Sequence, residues 1–340
     1  MTKQEPIAAQ SCGIVLFLSV MTDFVLAPPA LSGTAQSAIQ AVLLCTVLLC
    51  VLLPVFLWFP VLTGKLFCAL YGAVFLFASA SAFLQIQRFY TAVSDVPLSQ
   101  SIVFGLLLLA ALFAVSNGWA AIGRTGQIVL LVFLLSILFL LLGNLTHFRI
   151  TNLKFTQNLP QKTLTDCVQL FAIPAEILLF CMPNQAKSKV KKAELQKAEL
   201  QKAIVAIGGV LSLLLLCAEL RLGAYGTNQT QPLYLLARMG GISVFKRTDV
   251  LHICAWLFAA MIRTAALLYG AKMMIQECFP HKRDAIYTAL TALLVTVAAG
   301  MCSGLSFVLL RGILSVAAVL LLCAAICGRI RRNVPCANKN

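Results

Sequence analysis

Residues 128–143 read IVLLVFLLSILFLLLG. A helix built from this run is apolar on every face, a surface that lipid tolerates and water does not. A transmembrane strand alternates apolar and polar residues over about ten positions, and no such alternation is present here, so an outer-membrane barrel is excluded. The rest of the chain agrees: 61% of its 340 residues are hydrophobic and 11% are charged, against ~25% charged in ordinary soluble domains. The fold class expected is an all-α polytopic membrane protein, with residues 1–340 forming a single transmembrane domain.

Apolar runs bounded by polar, proline or glycine punctuation fall at about 12–29, 38–59, 66–86, 102–121, 127–143, 165–182, 203–222, 251–271, 285–302 and 306–327. Each is close to the roughly 20 residues that cross the hydrocarbon layer, which gives ten transmembrane helices. The start, MTKQEPIAAQSCGIVLF, has a basic residue followed by an apolar stretch as a signal peptide does, but Asp23 interrupts it, and the segment reads as a retained first span. Nine of the thirteen cysteines (Cys45, Cys50, Cys68, Cys181, Cys217, Cys254, Cys302, Cys323 and Cys327) lie inside apolar runs, and no C-x-x-C occurs. They read as small hydrophobes rather than a disulfide or zinc framework.

The 26 basic residues against 11 acidic ones give a net charge of +15. With the amino terminus in the cytoplasm, sixteen basic residues fall on the inner side and eight on the outer side. The positive-inside rule then places both termini in the cytoplasm and accounts for the excess charge without nucleic acid. Between spans 6 and 7 the tandem KAELQ repeat makes 183–202 a cytoplasmic, charged, solvated helical stub. Between spans 7 and 8, residues 223–250 form an outer loop whose YLLARMGGISVF portion predicts an amphipathic helix.

Ten spans with both termini on one side divide into two blocks of five that must be inverted relative to each other, about 12–143 and about 165–327. This is the condition for a five-plus-five inverted repeat, in which the first helix of each block is broken to hold a ligand at mid-membrane. Span 1 carries Thr22 and Asp23 mid-span with Pro28 and Pro29 after them, and span 6 carries Pro174 and Glu176. Substrate-binding positions are therefore expected at Thr22, Asp23, Phe24, Ile173, Pro174, Ala175 and Glu176. A carboxylate at mid-membrane costs at least ~2.5 kcal/mol unless paired, protonated or hydrated. Arg263, twelve residues into span 8, cannot shed its proton and requires an anion. A charge network of Arg263, Glu176 and Asp23 follows, serving either transport or the bracing of two helices. Ser79, Ser81, Gln85 and Gln87 give span 3 a polar face that either lines a pathway or binds helices together. The three histidines are scattered, no nucleotide, metal or cofactor motif occurs, and no catalytic motif supports an enzyme.

The stretch GTNQTQPLYLLARMGGISVFKRTDVLHICAWLFAAMIRTAALLYG resembles the spore-germination permeases, the B subunits of endospore germinant receptors in the amino acid, polyamine and organocation transporter superfamily. Pro232, Arg238, Phe245, Arg247, Asp249 and Trp256 match the family's positions. PAEILLF resembles its span 6 Gly-Glu pair, with Glu176 on the acidic position, and GWAAIGRTGQIVL resembles its span 4 to span 5 turn, with Arg124 on the basic position. The resemblance implies a LeuT-like fold in a bacterial cell membrane, the spore inner membrane for this family. It also implies a small amino-acid-like ligand bound between spans 1, 3, 6 and 8, and germinant receptor subunits as partners. Arg263 would be a fixed cation in place of the sodium ion that some relatives hold between spans 1 and 8. A proton- or sodium-linked secondary amino acid transporter and a non-binding structural subunit are the alternatives.

Overall fold

The computed structural model describes residues 9–26, 28, 34–58, 65–93, 100–154, 159–170, 175–180, 190–223, 226, 229, 231–241, 249–280, 284–305, 309–310, 312–321 and 324. Among them the regular structure is helical throughout. The helices are α1 (Ala9–Leu26), α2 (Ala35–Trp58), α3 (Lys65–Val93), α4 (Gln100–Ser116), α5 (Trp119–Asn144), α6 (Leu159–Leu170), α7 (Ala175–Phe180), α8 (Val190–Leu222), α9 (Pro232–Met239), α10 (Asp249–Cys278), α11 (Asp284–Cys302) and α12 (Gly312–Leu321). Six stretches of helix are long and apolar enough to cross a membrane, within α2, α3, α5, α8, α10 and α11. The apolar parts of α1, α4 and α12 are shorter, and of the residues expected to form a sixth span, 165–182, those described fall in α6 and α7.

The bundle is organised around α10, which packs against α1, α3, α4, α5, α7, α9 and α11. α3 lies beside it, and the two are the most enclosed of the long helices. By contrast α2, α4, α5 and α11 expose apolar side chains such as Val47, Val51, Phe113, Leu131 and Leu293. Hydrocarbon tails are as apolar as these residues, so in lipid this belt carries no cost, while the enclosed helices are held by close packing. Glycine permits that closeness where α1 crosses α8: a methyl group on Gly13 would sit 2.9 Å from the Glu199 carbonyl oxygen. Gly118, at φ 83°, turns the chain from α4 into α5, a conformation that disfavours any side chain.

The interruption of span 1 was expected around Thr22 and Asp23 with Pro28 and Pro29 after them; α1 is helical through Thr22 and Asp23 to Leu26, and residues 27 and 29–33 lie outside the described residues. Neither residue removes a backbone donor as proline does, and the Asp23 carboxylate is satisfied by partners on other helices. From Val190 the KAELQ repeat is continuous with α8. Leu200 is fully buried, and Gln196 Nε2 donates to the Phe180 carbonyl at 3.3 Å, satisfying an end group of α7.

α6 is more polar than its neighbours because it meets α2 through a polar seam. Ser37 donates to the buried Asp166 at 2.8 Å, and Thr163 donates to Gln40 at 3.1 Å. α9 begins with Pro232 at its first turn and buries Leu233, Leu236 and Ala237 while exposing Arg238 and Met239. It is tied to two other helix ends: Gln231 Nε2 donates to the Leu26 carbonyl of α1 at 3.0 Å, and Asn144 Nδ2 of α5 donates to the Leu236 carbonyl at 3.1 Å.

Candidate functional site

Arg263 has fourteen α10 residues before it and fifteen after, so it stands at the middle of a 30-residue helix. At 1.5 Å per residue this is about 20 Å from either end, the depth at which an ionised group is costliest. Its guanidinium donates through Nη1 to Asp23 Oδ1 at 2.9 Å and to Gln85 Oε1 at 2.8 Å, and through Nε to Glu176 Oε1 at 3.2 Å. Gln85 Nε2 completes a ring by donating to the same Asp23 oxygen at 2.7 Å. Four helices, α1, α3, α7 and α10, thus each supply one polar side chain to a single cluster.

Local structure explains why each charge needs the others. Asp23 occupies the last turn of α1, at the partly negative end of the helix dipole, so its carboxylate needs the arginine. Glu176 is the second residue of α7, where the helix end favours an acid, and its side chain is only 2% exposed. The Arg263 and Asp23 side chains are 12% and 19% exposed. Removing one member of so buried a pair strands the other charge, at a typical cost of 3–5 kcal/mol.

The cluster opens onto a cavity of about 110 Å³. Besides the four polar residues, its wall includes Ser19, Val20 and Phe24 of α1, Ser81 of α3, Leu170 of α6, Ala175 of α7, Leu211 of α8 and Ser315 of α12. Space of that size holds several waters or a small organic ligand. Along α1 the lining positions 19, 20, 23 and 24 form one helical stripe, and Thr22 falls off it. Thr22 is instead buried at 1% exposure. Of the expected ligand positions, Asp23, Phe24, Ala175 and Glu176 therefore share the cavity, Thr22 does not, and Ile173 and Pro174 lie outside the described residues. Ser19 and Ser315 were not singled out by sequence. Ser19 shows a faint signal, standing four residues before Asp23 and interrupting the apolar run from Ile14 to Met21.

Aromatic clusters flank this centre along α10. Trp256, seven residues before Arg263, packs on Phe89 of α3 at 6.0 Å, and Phe89 on Tyr234 of α9 at 6.2 Å. Tyr269, six residues after Arg263, packs on Trp119 of α5 at 5.7 Å, and Trp119 on Phe180 of α7 at 6.1 Å. The charged cavity therefore lies between two aromatic layers, each roughly 10 Å along the helix from Arg263. Of the other matched positions, Asp249 and Trp256 are buried at the start of α10, whereas Phe245 and Arg247 lie outside the described residues.

Residues 57–303 match the sequence profile of a family described as spore germination protein. Among curated proteins, none matches the chain. Forty-one chains of solved structures are similar to it. One is described as the substrate-bound outward-open state of a Na+-coupled sialic acid symporter with a novel Na+ site. It superimposes with a TM-score of 0.56 at 11% sequence identity, covering 92% of this chain and 75% of that one. The shared fold is that of a membrane transporter.

Proposed function

Because the chain belongs to the spore germination protein family of permeases, we propose that it binds a small amino-acid-like germinant in the Asp23–Arg263–Glu176 cavity and signals within a germinant receptor complex. The observation that carries this reading is the cavity itself. Two carboxylates and a guanidinium from three helices meet, midway along α10, on a space that fits a small ligand. A purely bracing ion pair needs no cavity, and burying ions without function is poorly rewarded. Arg263 joins α10 to α1 as a fixed cation between what we infer to be spans 8 and 1.

The same reading assigns ten spans in two inverted blocks, with α6 and α7 as halves of one broken span. Both termini and the KAELQ repeat face the cytoplasm, and α9 covers the outer face. The membrane is then the spore inner membrane, and the partners are the other receptor subunits. Thermal unfolding of the purified protein against a panel of the twenty amino acids tests the ligand site. At least one should raise the melting temperature saturably, and Glu176→Gln should abolish that rise. No shift from any of them in folded protein counts against a ligand site.

The transporter fold supports a second reading, a secondary amino acid transporter driven by a proton or sodium gradient. Uptake of the stabilising amino acid into proteoliposomes separates the two. Gradient-dependent accumulation identifies a transporter, and saturable binding without accumulation identifies a sensor.

A further inference from the structure

The apolar stretches that contain α5 and α8 end side by side, at His147 and Leu222. The connector that follows α5, residues 145–154, folds back onto the last turn of α8. Arg149 donates its backbone N–H to the Leu220 carbonyl at 3.0 Å, and Asn152 Nδ2 donates to the same oxygen at 2.9 Å. Arg149 and Arg221 thereby become neighbours, near enough to repel one another. We propose that these two guanidiniums hold the phosphate of an anionic phospholipid headgroup, at a site separate from the central cavity.

An acceptor is missing at this spot. Among the described residues neither arginine side chain has an ion pair, and Arg221 Nε is buried with no hydrogen-bond partner. Buried donors are seldom left unmade in native structures. The carbonyl end of α8 accounts for one basic residue in its last turn, but not for a second set against the first. An anion shared between them offsets the repulsion and supplies the acceptor. Glu219, the nearest acid in sequence, is turned to backbone donors instead: Lys154 N–H donates to its Oε1 at 3.1 Å and Ala35 N–H to its Oε2 at 2.7 Å. The adjoining stretches 155–158 and 224–225 contain no acidic residue. The surroundings identify the anion as lipid. The connector exposes Ile150 at 81%, Leu145 at 57% and Leu153 at 37%, interleaved with the exposed cations Arg149 and Lys154. Bare apolar side chains among cations, where two apolar helices end, suit the boundary between acyl chains and headgroups. A soluble anion would need none of them. In the orientation proposed above, this boundary belongs to the outer leaflet.

The test follows the melting temperature of purified full-length protein in neutral detergent during titration with dioleoylphosphatidylglycerol, dioleoylphosphatidylcholine or inorganic phosphate. The anionic lipid should stabilise saturably, at a mole fraction at least about tenfold below that needed for the zwitterionic one. Arg149→Gln, at an exposed position, should raise the mole fraction of anionic lipid required by about fivefold. Arg149→Gln combined with Arg221→Gln should erase the preference between the lipids. Lys197→Gln combined with Lys202→Gln removes the same charge at the other end of α8 and should leave the preference intact. Equal stabilisation by both lipids overturns the proposal, as does a preference that survives loss of both arginines in folded protein. If the double variant does not fold, Arg149→Gln decides, and a titration unchanged from the natural chain overturns the proposal. An equal loss in the lysine control would make the effect one of net charge and overturn the site. Stabilisation by inorganic phosphate that the anionic lipid does not exceed would assign the arginines to a free anion and overturn the lipid assignment.

Discussion

Arg263 holds three side chains from three other helices, so its loss should be felt at every one of them. Arg263→Gln replaces the guanidinium with a neutral amide and leaves the Asp23 and Glu176 carboxylates without its charge, and a destabilisation of about 3–5 kcal/mol is expected. Yield of folded protein in size-exclusion chromatography and its melting temperature report this directly. Gln85→Leu should cost less, about 1–3 kcal/mol, because it removes one donor and one acceptor but no charge. Glu176→Asp should be milder than Glu176→Gln, since the charge that faces Arg263 is kept. If Glu176→Gln proves as well folded and ligand-responsive as the natural chain, Glu176 has no part in the site. At this scale the sequence was legible where cost spoke: a guanidinium midway along an apolar helix demands an anion. It was silent on Gln85 as the bridging residue, because an amide on a mixed polar face fits helix packing equally well. Thr22 lies off the cavity stripe because α1 is helical there, and a helix sets one face of residues toward the cavity.

At the scale of elements, the crossings are set by glycine, and two substitutions separate close packing from helix propensity. Gly13→Ala would press a methyl group against the Glu199 backbone, which cannot move aside as a side chain can, whereas Gly209 has open space around it. Gly13→Ala should therefore lower stability by about 1–3 kcal/mol, while Gly209→Ala should be neutral or slightly stabilising. Melting temperatures of the two variants check the pair, and equal effects would contradict the α1–α8 crossing. Apolar runs located the long helices well, since uninterrupted hydrophobicity is a signal of 20 residues rather than of one. Their ends were less legible. α3 runs on to Val93 and α10 to Cys278, past the apolar stretches, because buried neighbours and paired charges such as Lys272 with Asp284 at 2.7 Å carry the helix beyond the lipid-like segment. The face of α8 that meets α1 was hidden inside the KAELQ repeat, where Leu200 looks like any other helix former.

The whole molecule combines a lipid-facing belt with an enclosed centre, and the orientation proposed for it rests on the distribution of its charges. With the amino terminus inside, a membrane-impermeant thiol reagent should label single cysteines placed at exposed Arg238 or Met239 and miss one at Lys202 in sealed cells. The reverse pattern would invert the topology and with it the assignment of α9 to the outer face. The central claim is that the cavity beside Asp23, Arg263 and Glu176 receives the ligand. Ser81→Cys, on the cavity wall one turn from Gln85, tests it most directly in a background whose native cysteines are replaced by serine or alanine. The rate of modification by a small cationic methanethiosulfonate should fall at least about tenfold when the stabilising ligand is present at 100 times its dissociation constant, where occupancy is nearly complete. A rate unchanged by saturating ligand would place the ligand elsewhere and contradict the account.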